Sequence, residues 1–226
     1  MLLAGYGESP RPQNFVYMGL EELANDLHEA LIHILLDDNE APEPVLIAHS
    51  SGGCLAQYAL DNADNEPHIS ALVLLSSPAP GPARSGGSIL RALRVLLAWT
   101  RLDPCLVPRT LWHKGDLRSP LSTPRLVRRA LFGPHMHPGD VRKFFDRCMN
   151  HEVAVSWLRD TIFLRYADPR RVKAKIPRGR VLCIGGDRDA FVTPNILRDT
   201  GIEYGADVVM FRGDGRFAFS CPSSLT

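Results

Sequence analysis

The first regular pattern of hydrophobic positions in the chain runs from Leu20 to Leu35. Apolar residues recur there every three or four positions, as they do along one face of an α-helix. Glu21 and Glu22 place negative charge in the first turn, where the helix dipole favours it. The pattern predicts a helix that ends before the prolines at positions 42 and 44.

Short, continuous apolar runs alternate with helical patterns in two parts of the chain. The runs are residues 45–48, 71–75, 181–184 and 207–211. Such runs are typical of strands that are buried on both faces of a parallel sheet. Helices are predicted between them, one from about Gly53 to Asn62 and one that begins at Thr193-Pro194. The alternation predicts an α/β protein, a three-layer α/β/α sandwich around a mostly parallel sheet.

The alternation stops between Pro78 and Pro177, where only helical patterns occur. The stretch begins with a segment rich in proline and glycine, which predicts a loop. An all-helical insertion between two strands explains this pattern most simply. We therefore predict a core formed by residues 1–77 and 178–226, interrupted by a helical cap at residues 78–177.

Charge and composition narrow the class of protein. The 226 residues include 26 Lys and Arg against 25 Asp and Glu, which leaves a net charge of +1. This balance gives no electrostatic reason to expect a nucleic-acid partner. With 45% hydrophobic and 23% charged residues the composition is that of a folded globular chain. It excludes disorder of the chain as a whole, and it leaves the oligomeric state open.

The cysteines and the apolar runs bear on compartment and metal binding. The five cysteines are odd in number and include no Cys-x-x-Cys pair, so neither a disulfide framework nor a metal site is predicted. No apolar run approaches the roughly 18 residues that a membrane span needs. No basic stretch followed by an apolar core marks a signal peptide at the start. We expect a cytoplasmic protein without a membrane span.

The sharpest chemical signal is the sequence Ala-His-Ser-Ser-Gly-Gly at residues 48–53. It lies directly after a predicted buried strand and directly before a predicted helix. A serine at the apex of such a turn is exposed at the carboxyl edge of the sheet, and small neighbours allow close backbone approach. Ser50 is therefore the candidate nucleophile. A glycine-rich turn with an incidental capping serine is the alternative.

Two neighbours of Ser50 have different predicted roles. Ser50 would lie at the N-terminus of the predicted helix, so the backbone N–H of Ser51 and the helix dipole would point at any oxyanion that forms on an attacked carbonyl. His49 is adjacent to the nucleophile, and adjacent side chains on such a turn point apart. We therefore expect His49 to be structural and not the base.

These features resemble the α/β-hydrolase superfamily over nearly the whole chain, from Gly5 to Arg216. Residues 5–10 resemble the loop after the fourth strand of that fold, and residues 48–53 resemble its nucleophile elbow, with Ala in place of the usual first Gly. The insertion resembles the helical cap. The resemblance implies a serine hydrolase without a cofactor, acting on an ester, thioester or related acyl bond of a small apolar substrate.

Residues 186–192 resemble the acid-bearing loop after the seventh strand of the family. The resemblance implies that Asp189 is the catalytic acid, which would orient a histidine and stabilise its charged form. Asp187 remains the alternative on sequence alone. Two solvated loop aspartates would be the non-catalytic explanation.

The family's base is missing from the position where it is expected. The family usually has Gly-x-Gly-His there, whereas residues 213–216 read Gly-Asp-Gly-Arg. Arg216 stays protonated and cannot accept the serine proton. Histidines of the predicted cap, His113, His135, His137 and His151, are the remaining candidates for a base.

The departures from the family support a second hypothesis. The family's first strands, with the second oxyanion donor, would precede Met1, and its last helix would fall at residues 217–226, where no helical period occurs. We therefore expect a chain that is truncated at both ends. The alternative function is a non-catalytic or degenerate family member, a ligand-binding pseudo-enzyme.

Overall fold

A computed structural model of the chain describes ten regular elements. The described residues are 9–10, 12–14, 18–37, 42–63, 69–80, 97, 100–101, 103–105, 108, 123–132, 136–148, 167–189 and 191–212. The helices are α1 (Leu20–Asp37), α2 (Ser51–Asn62), α3 (Pro124–Leu131), α4 (Pro138–Cys148), α5 (Pro169–Ala174) and α6 (Pro194–Tyr204). The strands are β1 (Val45–His49), β2 (Ala71–Leu75), β3 (Val181–Gly186) and β4 (Asp207–Phe211).

The four strands form one parallel sheet in the order β1-β2-β3-β4. The register aligns Ala48 with Leu74, Leu74 with Cys183, and Cys183 with Val208. All four carboxyl ends therefore meet at the same edge, where α/β proteins place their sites. The predicted strands and the predicted α/β sandwich with a mostly parallel sheet are confirmed.

One face of the sheet is covered by helices. Leu72, Leu74 and Cys183 point to this face, and none of them is exposed to solvent. They form one hydrophobic core with the apolar sides of α1, α2, α5 and α6. We call this side the covered face.

The opposite face has no such core in the described part of the chain. Because side chains alternate along a strand, it is formed by the remaining apolar positions of the four strands. These are Val45, Ile47, Val73, Leu75, Leu182, Ile184, Val209 and Phe211. Ile47 is 63% exposed and Val209 is 42% exposed. We call this side the open face.

The predicted cap contributes α3 and α4, which contact each other. Their apolar cluster is centred on Val127, Leu131 and Val141, and Phe132 and Phe144 meet edge to face in it with ring centroids 5.1 Å apart. We call it the cap cluster. The division into core and cap stays a prediction.

Helix α5 lies within the residues predicted as cap, yet it packs against core helices α2 and α6. Val172 of α5 is fully buried in the main core. Arg171 of α5 also forms an ion pair with Asp61 near the end of α2, with 3.1 Å between Nε and Oδ1. The structural core therefore includes the last residues of the predicted insertion.

A buried polar network holds the residues that follow β2. Gln57 Nε2 donates hydrogen bonds to the carbonyls of Gly53 and Pro78, at 2.7 and 3.1 Å. Tyr204 Oη donates to Gln57 Oε1 at 2.6 Å, and the Ala79 N–H donates to Thr200 Oγ1 at 2.9 Å. Helices α2 and α6 thus fix the first residues of the insertion through buried hydrogen bonds.

No helix in the described ranges combines the length and the apolarity that crossing a bilayer requires.

Candidate functional site

Ser50 lies at the turn between β1 and α2, as its motif predicts. Its φ of 54° is in the left-handed region, which residues other than glycine rarely adopt. Its N–H donates to the Leu75 carbonyl at 2.8 Å, and its own carbonyl accepts the Gly53 N–H at 3.0 Å. Backbone strain of this kind, held by hydrogen bonds at the end of a strand, is characteristic of functional residues.

The close approach that permits this turn involves Gly53. A Cβ added at Gly53 would overlap the side chain of Ser77, because α2 passes directly over the residues after β2. A Cβ added at Gly52 would meet no described atom within 4 Å. The described contacts therefore require a glycine at the second of the two positions.

Ser51 is the first residue of α2 and is half-buried. The first N–H groups of a helix have no carbonyl partner within the helix and point out of its N-terminus. The Ser51 N–H is thus at the positive end of the α2 dipole, next to Ser50. This is the position that the predicted oxyanion role needs.

His49 is the last residue of β1 and is aligned with Leu75 of β2. Because side chains alternate along the strand, it shares the open face with Val45 and Ile47. The structural role of His49 stays a prediction.

The two aspartates after β3 have different surroundings. Asp189 is 3% exposed, and its Oδ1 accepts the N–H groups of Phe191 and Val192 at 2.8 and 3.0 Å. Its Oδ2 is buried and accepts no hydrogen bond from any described residue. Asp187 is exposed to solvent. Burying a carboxylate oxygen without a hydrogen-bond donor costs free energy, which a base that donates to Asp189 Oδ2 would offset. Asp189 therefore suits the role of the catalytic acid better than the exposed Asp187.

The base position and three cap histidines lie outside the described residues: Arg216, His113, His135 and His151. His137 is described, and its Nδ1 accepts the Gly139 N–H at 3.2 Å where α4 begins. It is exposed at that helix start. This contact gives His137 a capping role. Among the described side chains, no three of His, Cys, Asp or Glu are grouped as metal ligands.

Ser76 is a residue that the sequence treats only as part of a loop. It directly follows β2, is 3% exposed and has a φ of 44°. Its N–H donates to the Ile184 carbonyl at 2.7 Å. Ser50 and Ser76 thus follow neighbouring strands, both with left-handed backbone. The sequence signal for Ser76 is its place directly after a buried strand, which is also the place of Ser50.

Burial sets the ionisation of two groups beneath the site. It raises the pKa of the Cys183 thiol to about 11. The pKa of Tyr204 is also raised, first by burial and then by the nearby Cys183, Glu203, Cys54 and Asp61. Both groups are therefore neutral at physiological pH.

The sequence profile of the Alpha/beta hydrolase family matches residues 2–222 of the chain. The chain belongs to this family. No curated protein matches the sequence significantly.

Solved structures of similar fold include an esterase, a lipase and a lactonase. An esterase from Exiguobacterium antarcticum is 18% identical, with a TM-score of 0.62 over 96% of this chain and 74% of that one. A monoacylglycerol lipase from Paleococcus ferrophilus is 19% identical, with a TM-score of 0.58 over 97% and 75%. An enol-lactonase from Burkholderia xenovorans LB400 is 19% identical, with a TM-score of 0.58 over 96% and 73%. At these identities the likeness concerns the fold.

Proposed function

We propose that the chain is a serine hydrolase that cleaves an ester, thioester or related acyl bond of a small apolar substrate. The observation that carries the proposal is the position of Ser50 and Asp189 at the same edge of the sheet. Ser50 occupies a strained turn after β1, and Asp189 follows β3 at the same sheet edge with a buried Oδ2 that accepts no hydrogen bond from the described residues. Strands two positions apart are separated by about 10 Å, which leaves room for a base between the two side chains.

In the proposed mechanism Ser50 Oγ attacks the acyl carbon, and the base takes the serine proton. The Ser51 N–H donates a hydrogen bond to the oxyanion that forms. The base returns its proton to the leaving group, and water then hydrolyses the acyl-enzyme by the reverse sequence. Asp189 Oδ2 accepts a hydrogen bond from the base and stabilises its charged form. The reaction needs no cofactor.

The proposed preference for an apolar substrate rests on the cap. Residues 78–177 are the proposed cap, and the acid loop reaches its apolar cluster through Phe191. The esterase, lipase and lactonase of similar fold are consistent with acyl-bond chemistry.

This chain departs from its family at the residue that should act as the base. Arg216 occupies the family's base position and cannot accept a proton. Loss of the base in a well-studied serine protease lowers turnover by about 10⁶. A non-catalytic, ligand-binding role is therefore the second candidate function, and the sequence of residues 213–216 favours it.

Hydrolysis of a short-chain p-nitrophenyl ester tests whether Ser50 and Asp189 are arranged for catalysis. We expect Arg216→His to produce weak turnover, which Ser50→Ala in the same background abolishes. Ser70→Ala is a matched control, because Ser70 precedes β2 at the opposite end of the sheet. Circular dichroism shows whether each variant is folded.

The outcomes of this experiment are distinct. Turnover that survives Ser50→Ala would remove Ser50 as the nucleophile. A folded but inactive Arg216→His variant would favour the ligand-binding role. If the unmodified chain already shows Ser50-dependent turnover, another base is present, and the cap histidines His135 and His137 are the first to mutate.

A further inference from the structure

Phe191 contacts two parts of the molecule at once. Its backbone N–H donates to Asp189 Oδ1 at 2.8 Å, and the Val192 N–H donates to the same oxygen at 3.0 Å. Its side chain packs against the cap cluster. One residue thus joins the proposed catalytic acid to the predicted cap.

No other described residue from outside α3, α4 and their flanking residues packs in the cap cluster. The other described members are Val127, Leu131, Phe132, Met136, Val141, Phe144 and Phe145. The Phe191 ring is therefore the apolar anchor by which this cluster holds the loop after β3.

We propose that Phe191 is a positioning residue, whose ring, docked in the cap cluster, fixes the orientation of the Asp189 carboxylate. The proposal rests on the proposed function, in which Asp189 is the acid. Both hydrogen bonds to Asp189 use Oδ1, so the backbone at Phe191 and Val192 determines how the carboxylate is turned. That orientation decides where the unpaired Oδ2 points. A docked ring limits the movement of this backbone, because a displaced ring would leave a void in the cluster.

A purely structural role for Phe191 would have different consequences. If the ring only filled space between loop and cap, its loss would loosen the cap and leave the amides at positions 191 and 192 protected. If it only lined a substrate pocket, its loss would raise KM and leave kcat unchanged. Positioning of the acid instead predicts weaker protection of these two amides and a lower kcat.

Amide hydrogen exchange, followed by NMR on the full chain, tests the positioning without requiring activity. We expect Phe191→Ala to speed exchange at positions 191 and 192 about tenfold, the factor that one net hydrogen bond corresponds to. Amides of β3 should keep their rates. Phe191→Leu should restore most of the protection, because an aliphatic side chain still reaches the cluster.

Phe132→Ala is the matched control. It removes a ring from the same cluster, where Phe132 meets Phe144, and it has no hydrogen bond to Asp189. We expect it to leave exchange at positions 191 and 192 within about twofold of the unmodified chain, since the loop's own anchor remains. Equal acceleration in Phe132→Ala and Phe191→Ala would overturn the proposal, as would full protection in Phe191→Ala.

Kinetics in the Arg216→His background supply the second readout. Phe191→Ala should lower kcat at least about tenfold, with little change in KM for the p-nitrophenyl ester, because a misplaced catalytic group affects the chemical step. A raised KM with unchanged kcat would overturn the proposal. If Arg216→His is inactive, that failure belongs to the proposed function, and the exchange rates still decide the role of Phe191.

Discussion

The covered and open faces of the sheet are built from similar residues and differ in what lies against them. Leu74 of β2 is 0% exposed on the covered face, whereas Ile47 of the neighbouring β1 is 63% exposed on the open face. The strands alone therefore do not determine burial. Removal of apolar area from water stabilises the fold by about 25 cal/mol per Å², and among the described elements it acts mainly on one side of the sheet.

The helices that support the proposed site lie on the covered face. Helix α2, which starts directly after Ser50, and helix α6, which follows the Asp189 loop, both pack on the covered face. Substitutions beneath these helices should therefore disturb stability and site together. Substitutions at the exposed positions of the open face, such as Ile47 and Val209, should disturb both less.

The largest expected contrast is between Leu74→Ala and Ile47→Ala. Leu74→Ala should lower the free energy of unfolding by about 3 to 4 kcal/mol, because it leaves a cavity among fully packed neighbours. Ile47→Ala should lower it by less than about 1 kcal/mol, because most of the side chain already contacts solvent. Urea denaturation of both variants measures the difference. Equal losses would mean that the open face is as well packed as the covered face.

The two glycines at the start of α2 give a sharper test of close packing on the covered face. Gly53→Ala should destabilise the chain by about 1 to 3 kcal/mol, because the new methyl group meets the Ser77 side chain. Gly52→Ala should be neutral or stabilising by up to about 1 kcal/mol, since it meets no described atom and alanine favours a helix.

Thermal unfolding of the two glycine variants checks this contrast. Adding Ser77→Gly to Gly53→Ala should restore part of the lost stability, because it removes the obstructing side chain. An unchanged midpoint in Gly53→Ala would show that α2 can shift away from β2.

Alkaline pH tests the burial of Cys183 on the covered face. The unfolded thiol loses its proton near the ordinary pKa of 9.0, whereas the folded thiol keeps it until about 11. The unfolded state therefore binds fewer protons in this window, so the free energy of unfolding should fall as pH rises from about 9 to 11. Below pH 9 the thiol is protonated in both states, and its contribution should be constant.

The share due to Cys183 is isolated by comparing Cys183→Ala with the unmodified chain. Between about pH 9 and 11 the free energy of unfolding of the variant should fall by about 1 to 2 kcal/mol less than that of the unmodified chain. Part of the fall should remain in the variant, because the raised pKa of Tyr204 acts in the same direction. Cys105→Ala, at an exposed cysteine, should keep the full slope. Urea unfolding at several pH values supplies the measurement, and identical slopes in all three proteins would contradict it.

The smallest change in stability is expected for a valine of β4 on the open face, compared with its neighbour on the covered face. Val209→Thr on the open face should change stability by less than about 0.5 kcal/mol, whereas Val208→Thr, which packs against the core, should lower it by about 1 to 2 kcal/mol. Val209→Thr should also reduce the fluorescence of a bound apolar dye by removing exposed apolar surface. A larger loss in Val209→Thr than in Val208→Thr would reverse the assignment of the faces.

The sequence predicts much of the fold because each element depends on local patterns. The apolar runs of β1 to β4 and the strand-turn-helix context of Ser50 suffice to place these residues correctly. Continuous apolar runs carry no alternation, however, so they do not reveal which face the described helices cover. The predicted boundary at residue 177 rests on the pattern alone, and the packing of Val172 of α5 in the main core depends on residues distant along the chain.

The candidate site is predictable in part for the same reason. Ser50 and Asp189 follow strands, so sequence motifs find them and place them at one edge of the sheet. The left-handed φ of Ser76 and the docking of Phe191 into the cap cluster depend on residues distant along the chain. A single sequence offers no local signal for such contacts.

The hydrogen bonds that Pro78 and Ala79 make with Gln57 and Thr200 bear on where the predicted cap is best replaced in a chimera. A chimera joined after Ala79 keeps the hydrogen bonds that anchor residues 78 and 79 to α2 and α6. With a junction directly after Ser77, the foreign residues at positions 78 and 79 still carry a backbone carbonyl and, unless proline, an N–H, but they keep these hydrogen bonds only if they follow the same backbone path. The preferred junction therefore follows Ala79, two residues inside the predicted insertion.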